Sequence, residues 1–278
     1  MDWIQALFLG IVQGLAEYLP ISSSGHLEIT QSMLGLDLSG ADSLQFDVTL
    51  HVATVLSTIV ILWREFSGMC TSFFTLKRDE NTTLVWKIIV SCIPIGIVGV
   101  FFKDKIESFY GHNLTVVGIC LLVTAALLAF AYYSRTRRLI ATRGTVGSAN
   151  VGRNITFVDA FVIGCAQAVA VLPGLSRSGS TIATGIVLGD KREQVARFSF
   201  LMVIIPILGQ AMLDVVKGIK DGGFDNSVGF LPMAVGFLAS FIVGCLACKW
   251  MLDIVKRGKL VWFAVYCAIV GVLCLIFQ

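Results

Sequence analysis

Charge is what this chain has least of. Asp, Glu, Lys and Arg make up 14% of its 278 residues, hydrophobic residues 56%, and the mean hydropathy is +0.85. A soluble domain carries about 25% charged residues. The shortage excludes an ordinary soluble fold, and with a net charge of only +3 no nucleic-acid partner is expected. A basic leader is also missing. Met1 to Gly10 carries Asp2 and neither Lys nor Arg, so no cleavable signal peptide is expected. The eight cysteines lack the pattern of a metal site. Cys245 and Cys248 form a C-x-x-C without a second ligand pair, and all the others except Cys70 lie in apolar segments as small hydrophobes do.

What is present is a series of long apolar runs. A helix needs about 20 apolar residues to cross a bilayer core. Six runs meet that length, near 46–64, 84–102, 114–133, 195–216, 229–249 and 260–277. Two more, 2–34 and 157–189, are interrupted by Pro, Gly and Ser. They read as re-entrant elements that enter and leave on one side, since irregular backbone at membrane depth is tolerated only where protein or a polar cavity surrounds it. The expected fold is therefore an all-α polytopic membrane protein of six transmembrane helices and two re-entrant helix–loop–helix elements. With that count, Arg and Lys crowd the loops 64–87, 134–156, 189–197 and 249–259, while the opposite side holds Lys103, Lys105, Lys217 and Lys220. The positive-inside rule makes the crowded side cytoplasmic and puts both termini outside a plasma (inner) membrane.

The two interrupted segments match each other at an offset of 154 positions: Gly10 with Gly164, Gln13 with Gln167, Ala16 with Ala170, Ser22 with Ser176, Ser24 with Ser178 and Gly25 with Gly179. A weaker match pairs Ile97-Val98-Gly99 with Ile242-Val243-Gly244 at an offset of 145. A single membrane domain, 1–278, is thus expected to hold two halves, about 1–134 and 157–278, joined by a cytoplasmic linker, 135–156. One re-entrant element and three crossings in each half make the repeat inverted, with the broken segments meeting near the midplane.

The polar residues gather in those broken segments. Gln13 and Glu17, four apart, share a helix face. Pro20 ends that helix, and a second is expected to start near His26 after the turn Ser22-Ser23-Ser24-Gly25. The second segment offers Ser176, Ser178, Ser180 and Thr181 around Arg177. Serines at helix N-termini leave backbone N–H groups free for anions. An arginine at membrane depth marks a functional site, and its planar fork suits phosphate. Together the two segments would give a phosphate cradle beside groups able to move protons or attack. His51, beside Asp47, reads as structural or cavity-lining.

These residues carry a resemblance. Gln13 to Glu17 and Leu19 to His26 resemble the (E/Q)xxxE and LPxSSSGH motifs of the bacterial undecaprenyl-diphosphate phosphatases of the bacitracin-resistance type. Pro173, Gly174, Ser176, Arg177, Ser178 and Thr181 reproduce that family's PGxSRSxxT. The resemblance implies an integral membrane hydrolase that removes the terminal phosphate of a C55 isoprenyl diphosphate, with a site open to the outer face and a divalent cation, Mg2+ or Ca2+, held by Glu17. It implies Glu17 as essential carboxylate, His26 as acid and base, Arg177 as phosphate clamp and Ser23 as candidate nucleophile. Gln13, Ser22, Ser24, Gly25, Gly174, Ser176, Ser178, Gly179 and Thr181 would line the substrate.

The expected mechanism has Ser23, or a water in its place, attack phosphorus while His26, oriented by Glu17, handles the proton. The partners implied are a prenyl diphosphate and membrane lipid, with a homodimer left open. A prenyl-phosphate transporter or flippase is the alternative, because broken helices in inverted repeats are also a transporter architecture. The lipid-phosphatase motif SRxxxxxH fails here, with Ala183 where its histidine should stand.

Overall fold

The computed structural model describes residues 1–36, 40–75, 77–102, 114–141, 152–220 and 228–277. The loop lysines Lys103 and Lys105 and the middle of the linker, 142–151, lie outside them. Twelve helices appear among the described residues: α1 Trp3–Ala16, α2 Ser23–Met33, α3 Gly40–Ile61, α4 Trp63–Phe74, α5 Glu80–Phe101, α6 Leu114–Ala141, α7 Phe157–Val169, α8 Arg177–Leu188, α9 Arg192–Met202, α10 Ile204–Lys220, α11 Phe230–Arg257 and α12 Val261–Ile276.

Four stretches are long and apolar enough to cross a membrane: α5, α6 as far as Arg137, α9 with α10 as far as Leu213, and α11. The run expected to cross at 46–64 ends at Ile61, where the chain bends by 86° into α4. Sequence reading had left 64–87 as a loop. Its first part is a helix that exposes Trp63, Phe73 and Phe74 while burying Met69 and Ser72, the pattern of a helix lying along a membrane interface. At 16 residues, α12 is shorter than a full span. The lipid-type surface is plain elsewhere: Phe8, Val100, Phe101, Leu246 and Trp262 are all exposed.

α1 and α7 begin alike. Asp2 accepts from Gln5 N at 2.7 Å while Gln5 accepts from Asp2 N, and Thr156 and Asp159 make the same reciprocal pair. Such capping boxes satisfy backbone donors that a helix start leaves open. Each helix then packs through a glycine on a helix far away in sequence. A Cβ on Gly10 would run into the Gly236 carbonyl of α11, and one on Gly164 into the Ser91 carbonyl of α5. Small residues at such crossings let backbones approach within van der Waals contact, which is what drives helix association where lipid tails are as apolar as the side chains. α1 and α2 pack on each other, as do α7 and α8, so each broken segment is a hairpin of short helices. At 14 residues α1 is roughly 21 Å long, less than a bilayer core.

Candidate active site

The two hairpins touch at their tips. α1 stops at Ala16 with Glu17 as its C-cap, three residues before Pro20. α2 begins at Ser23 rather than near His26, because Ser22 caps it by accepting from Gly25 N at 3.3 Å. In the other hairpin Ser176 caps α8 in the same way, accepting from Gly179 N at 3.0 Å. Both serine turns thus place a helix N-terminus at the junction. Ser178 Oγ donates to Leu19 O at 3.1 Å, and the Gly25 and Gly174 backbones lie against each other. Gly174, with φ +85°, turns the second tip, while Thr124 of α6 accepts from Ser176 N at 3.0 Å and holds it from behind.

Across this junction the Arg177 guanidinium donates to Glu17 Oε1, so residues 160 positions apart form an ion pair. The Glu17 side chain is 6% exposed and that of Arg177 24%. The other carboxylate oxygen, Oε2, accepts from Ser23 Oγ at 2.8 Å and from Gln13 Nε2 at 2.9 Å. Four residues singled out in sequence therefore converge on one carboxylate. Nucleophile and base within hydrogen-bond reach, with a cation alongside, is the geometry of an activated hydroxyl. A narrow cleft opens beside the ion pair, lined by Glu17, Arg177 and Ser178 together with Thr58, Ser199 and Phe200. Tyr18 anchors the same turn, its hydroxyl reaching Thr54 O at 2.5 Å and Thr58 Oγ1 at 2.8 Å.

Histidine placement differs from the sequence expectation. His26 is not oriented by Glu17. Its Nδ1 donates to Ser22 O at 2.9 Å and its Nε2 lies 2.8 Å from the Tyr266 hydroxyl of α12, with the two rings stacked. A carbonyl acceptor fixes the proton on Nδ1, so Nε2 accepts from Tyr266. The imidazole beside the carboxylate belongs to His51, whose Nε2 is 3.6 Å from Glu17 Oε2. Its Nδ1 donates to Asp47 O at 2.7 Å, which leaves Nε2 facing the carboxylate. His51, expected to be structural or cavity-lining, faces the carboxylate because α3 passes the site from the side, which no spacing within 46–64 reveals. Tyr266 carried no signal at all. Further from the carboxylate, Ser24 Oγ contacts Ser22 Oγ at 3.3 Å, and the Thr181 hydroxyl is taken by Arg177 O and Ser199 Oγ.

Among the described residues no group of three or more His, Cys, Asp or Glu side chains is placed to hold a metal ion. The donors that fit a divalent cation are a single carboxylate and one amide oxygen. Gln13 Oε1 is buried beside Glu17 without a hydrogen-bond partner. Mg2+ commonly takes one or two carboxylates and completes its shell with water and substrate phosphates.

The chain's relatives match it over nearly their whole length. The family model described as "Bacitracin resistance protein BacA" matches residues 6–273. A protein named undecaprenyl-diphosphatase from Bacteroides fragilis is 52% identical over 276 residues, covering 99% of this chain and 98% of the relative. One of the same name from Parabacteroides distasonis is 53% identical over 271 residues, covering 98% and 96%. An archaeal relative with that name, from Methanobrevibacter smithii, is 36% identical over 286 residues, covering 98% and 96%. A multi-pass membrane protein matched from end to end in this way belongs to the BacA, or bacitracin resistance protein, family.

Proposed function

We propose that the chain hydrolyses undecaprenyl diphosphate to undecaprenyl phosphate and inorganic phosphate, the activity named for its relatives. The observation that carries this reading is the contact of Ser23 Oγ and Arg177 with the two oxygens of one carboxylate, Glu17. Phosphoryl transfer asks mainly for positioning and for neutralisation of charge on the equatorial oxygens. Arg177 turns its fork from Glu17 to the terminal phosphate, and the N–H groups of the two serine-capped helix starts add to it. Released from the guanidinium, Glu17 takes the proton of Ser23 as Oγ attacks phosphorus and undecaprenyl phosphate leaves. Water then cleaves the phosphoserine, returning the hydroxyl of Ser23 and giving phosphate. His51 Nε2 faces the site from the α3 side, where it can hydrogen-bond the phosphate or Glu17. His26 is the second acid–base group, its Nε2 free to exchange Tyr266 for water. A divalent cation, when bound, supplies further charge neutralisation, and Glu17 with Gln13 Oε1 would hold it.

The architecture proposed with this activity is six crossings plus two re-entrant hairpins in an inverted repeat. Its support is local: equivalent capping boxes, equivalent serine caps, and close contacts at Gly10–Gly236 and Gly164–Ser91 whose members are related by the offsets 154 and 145. The halves are about 1–134 and 157–278. The arginine- and lysine-rich loops support a cytoplasmic linker, outer termini, a plasma-membrane location and a site open to the outer face, where the product re-enters the lipid-carrier cycle. Rapid-quench of purified protein with radiolabelled prenyl diphosphate tests the chemistry. A phosphoserine at Ser23 that forms and decays within a turnover is expected. Turnover without it, or full turnover by Ser23→Ala, returns the attack to water. Phosphate appearing only outside right-side-out vesicles tests the facing.

A further inference from the structure

α12 meets the first hairpin at two successive residues. Cys267, fully buried, donates its thiol to Pro20 O at 3.4 Å, on the approach to the serine turn. The Tyr266 hydroxyl reaches His26 Nε2 at 2.8 Å, just beyond that turn. Neighbouring residues on a helix point about 100° apart, so the thiol faces the protein while Tyr266, 41% exposed, sits at the edge of the lipid-type surface. The turn is thus held at both ends by one helix from the far end of the chain. The position of that helix is itself fixed. Gly118 of α6 and Gly271 of α12 lie backbone to backbone, and a Cβ on either would stand 2.9 Å from the other's carbonyl oxygen. So close an approach leaves α12 little freedom to slide along α6. Val117 of α6 lies against Gly25 and Gly174, one from each tip. Tyr266 therefore stands on the wall that backs both hairpins.

His26 has both ring nitrogens engaged. Ser22 O can only accept, so Nδ1 carries the proton and the phenol donates to Nε2. The two rings lie 5.6 Å apart and 17° from parallel, so the tyrosine holds the plane of the imidazole as well as its tip. A lone pair kept on Nε2, in a ring that cannot swing, is what a proton acceptor needs before substrate arrives.

We infer that Tyr266 is the positioning residue of His26. Its ring fixes the imidazole plane, and its hydroxyl keeps Nε2 the unprotonated nitrogen until water or substrate takes its place. The inference rests on His26 acting as the second acid–base group of the proposed hydrolysis. Tyr266 acts through that imidazole and handles no reacting atom itself.

Two measurements on the full chain in detergent test it. Nitrogen NMR of protein labelled in its histidine rings, with His26 identified by its loss in His26→Gln, reads the contact without reference to activity. Tyr266→Phe keeps the stacked ring, so it should move the Nε2 resonance and leave Nδ1 protonated. Steady-state hydrolysis of prenyl diphosphate reads the role. Tyr266→Phe should lower kcat by about 3- to 10-fold with KM changed by less than about twofold. Tyr266→Leu loses the stack as well and should lower kcat further; if it does not fold, Tyr266→Phe decides alone. In the His26→Gln background Tyr266→Phe should cost nothing more, because a residue acting only through another has no effect once that other is gone. An unmoved Nε2 resonance overturns the contact. An equal loss with and without His26 overturns the positioning role, as does wild-type kcat in Tyr266→Phe while His26→Gln is slow. Wild-type kcat in His26→Gln itself would instead remove His26 from the proposed chemistry, and Tyr266 with it, with the resonances unaffected.

Discussion

The two hairpins are built alike and loaded differently. Both open with a capping box, both turn through a serine that caps the next helix, and both pack by one glycine on a distant span. At the offset of 154, Ser23 corresponds to Arg177, so a hydroxyl and a guanidinium hold the same position, the first residue after the cap. Gln13 corresponds to Gln167, and Glu17 to Val171. The first amide spends its N–H on Glu17, whereas Gln167, with valine where a carboxylate would stand, has both amide atoms buried and unpartnered. Strain divides them too. Ser22 has φ +71°, the one non-glycine residue with positive φ among those described, while Ser176 is extended at φ −68°. Strained backbone concentrates at sites of chemistry, and here it lies in the hairpin that carries the hydroxyl. On the proposed reading, one hairpin reacts and the other binds.

The sharpest way to break that comparison is at the ion pair. Glu17→Gln should lower kcat by about 10³-fold or more, because it removes both the base and the partner that orients Arg177. Arg177→Lys should lose about 10²-fold, since a point charge cannot span two phosphate oxygens. Steady-state phosphate release reads both, and a mild effect of either would mean that the hairpins do not share one site.

Next come the two imidazoles. His51→Gln should cost about tenfold in kcat/KM, because the carboxylate of Glu17 loses the imidazole that faces it at 3.6 Å. His26→Gln should change kcat and loosen the Ser22 turn. Identical kinetics for the two variants would contradict the separate placements.

A smaller effect separates the two glutamines. Gln13→Leu should destabilise the protein by about 1–2 kcal/mol and slow it, because Glu17 loses a donor. Gln167→Leu should be neutral or stabilising, since the amide it removes pairs with nothing. Apparent Tm of both variants in one detergent decides.

The smallest effect lies at the foot of the second hairpin. Arg153 pairs with Asp159 at 2.6 Å and lies 3.8 Å from Asp190, and the backbones of Arg153 and Asp190 form a bridge. Burial, with repulsion from Asp159, lifts the Asp190 carboxyl to about 6 despite Arg153. The folded state therefore binds the proton more tightly than the unfolded chain. Stability from this group is full below the ordinary carboxylate value near 4 and is lost as pH rises toward 6. Asp190→Asn should flatten that decline, a difference of about 1–3 °C in apparent Tm between pH 4 and 7. An unchanged slope would discard the clasp.

Much of this was legible in the residues. Hydropathy marked the long spans, and the serine turns disclosed both hairpin tips, because spacing along one helix and a capping hydroxyl are local matters. Of the expected group Glu17, Ser23, His26 and Arg177, the first, second and fourth meet, with Gln13 beside them, and His26 does not join them. The bend at Leu62 was not visible, since the apolar run continues past it into an amphipathic helix. Nor was the choice of histidine. His26 lies nearer to Glu17 in sequence, yet α2 starts three residues early and swings it to Tyr266.

By itself, then, the sequence determined the membrane setting, the two polar turns and the polar groups gathered at them, because helix period, capping and the cost of charge in lipid act within a few residues. Tertiary structure alone decided which partner each group has: Arg177 and His51 for Glu17, and Tyr266 for His26. Those pairings depend on which distant helices the glycine contacts bring together, and helix packing joins residues that no local spacing relates.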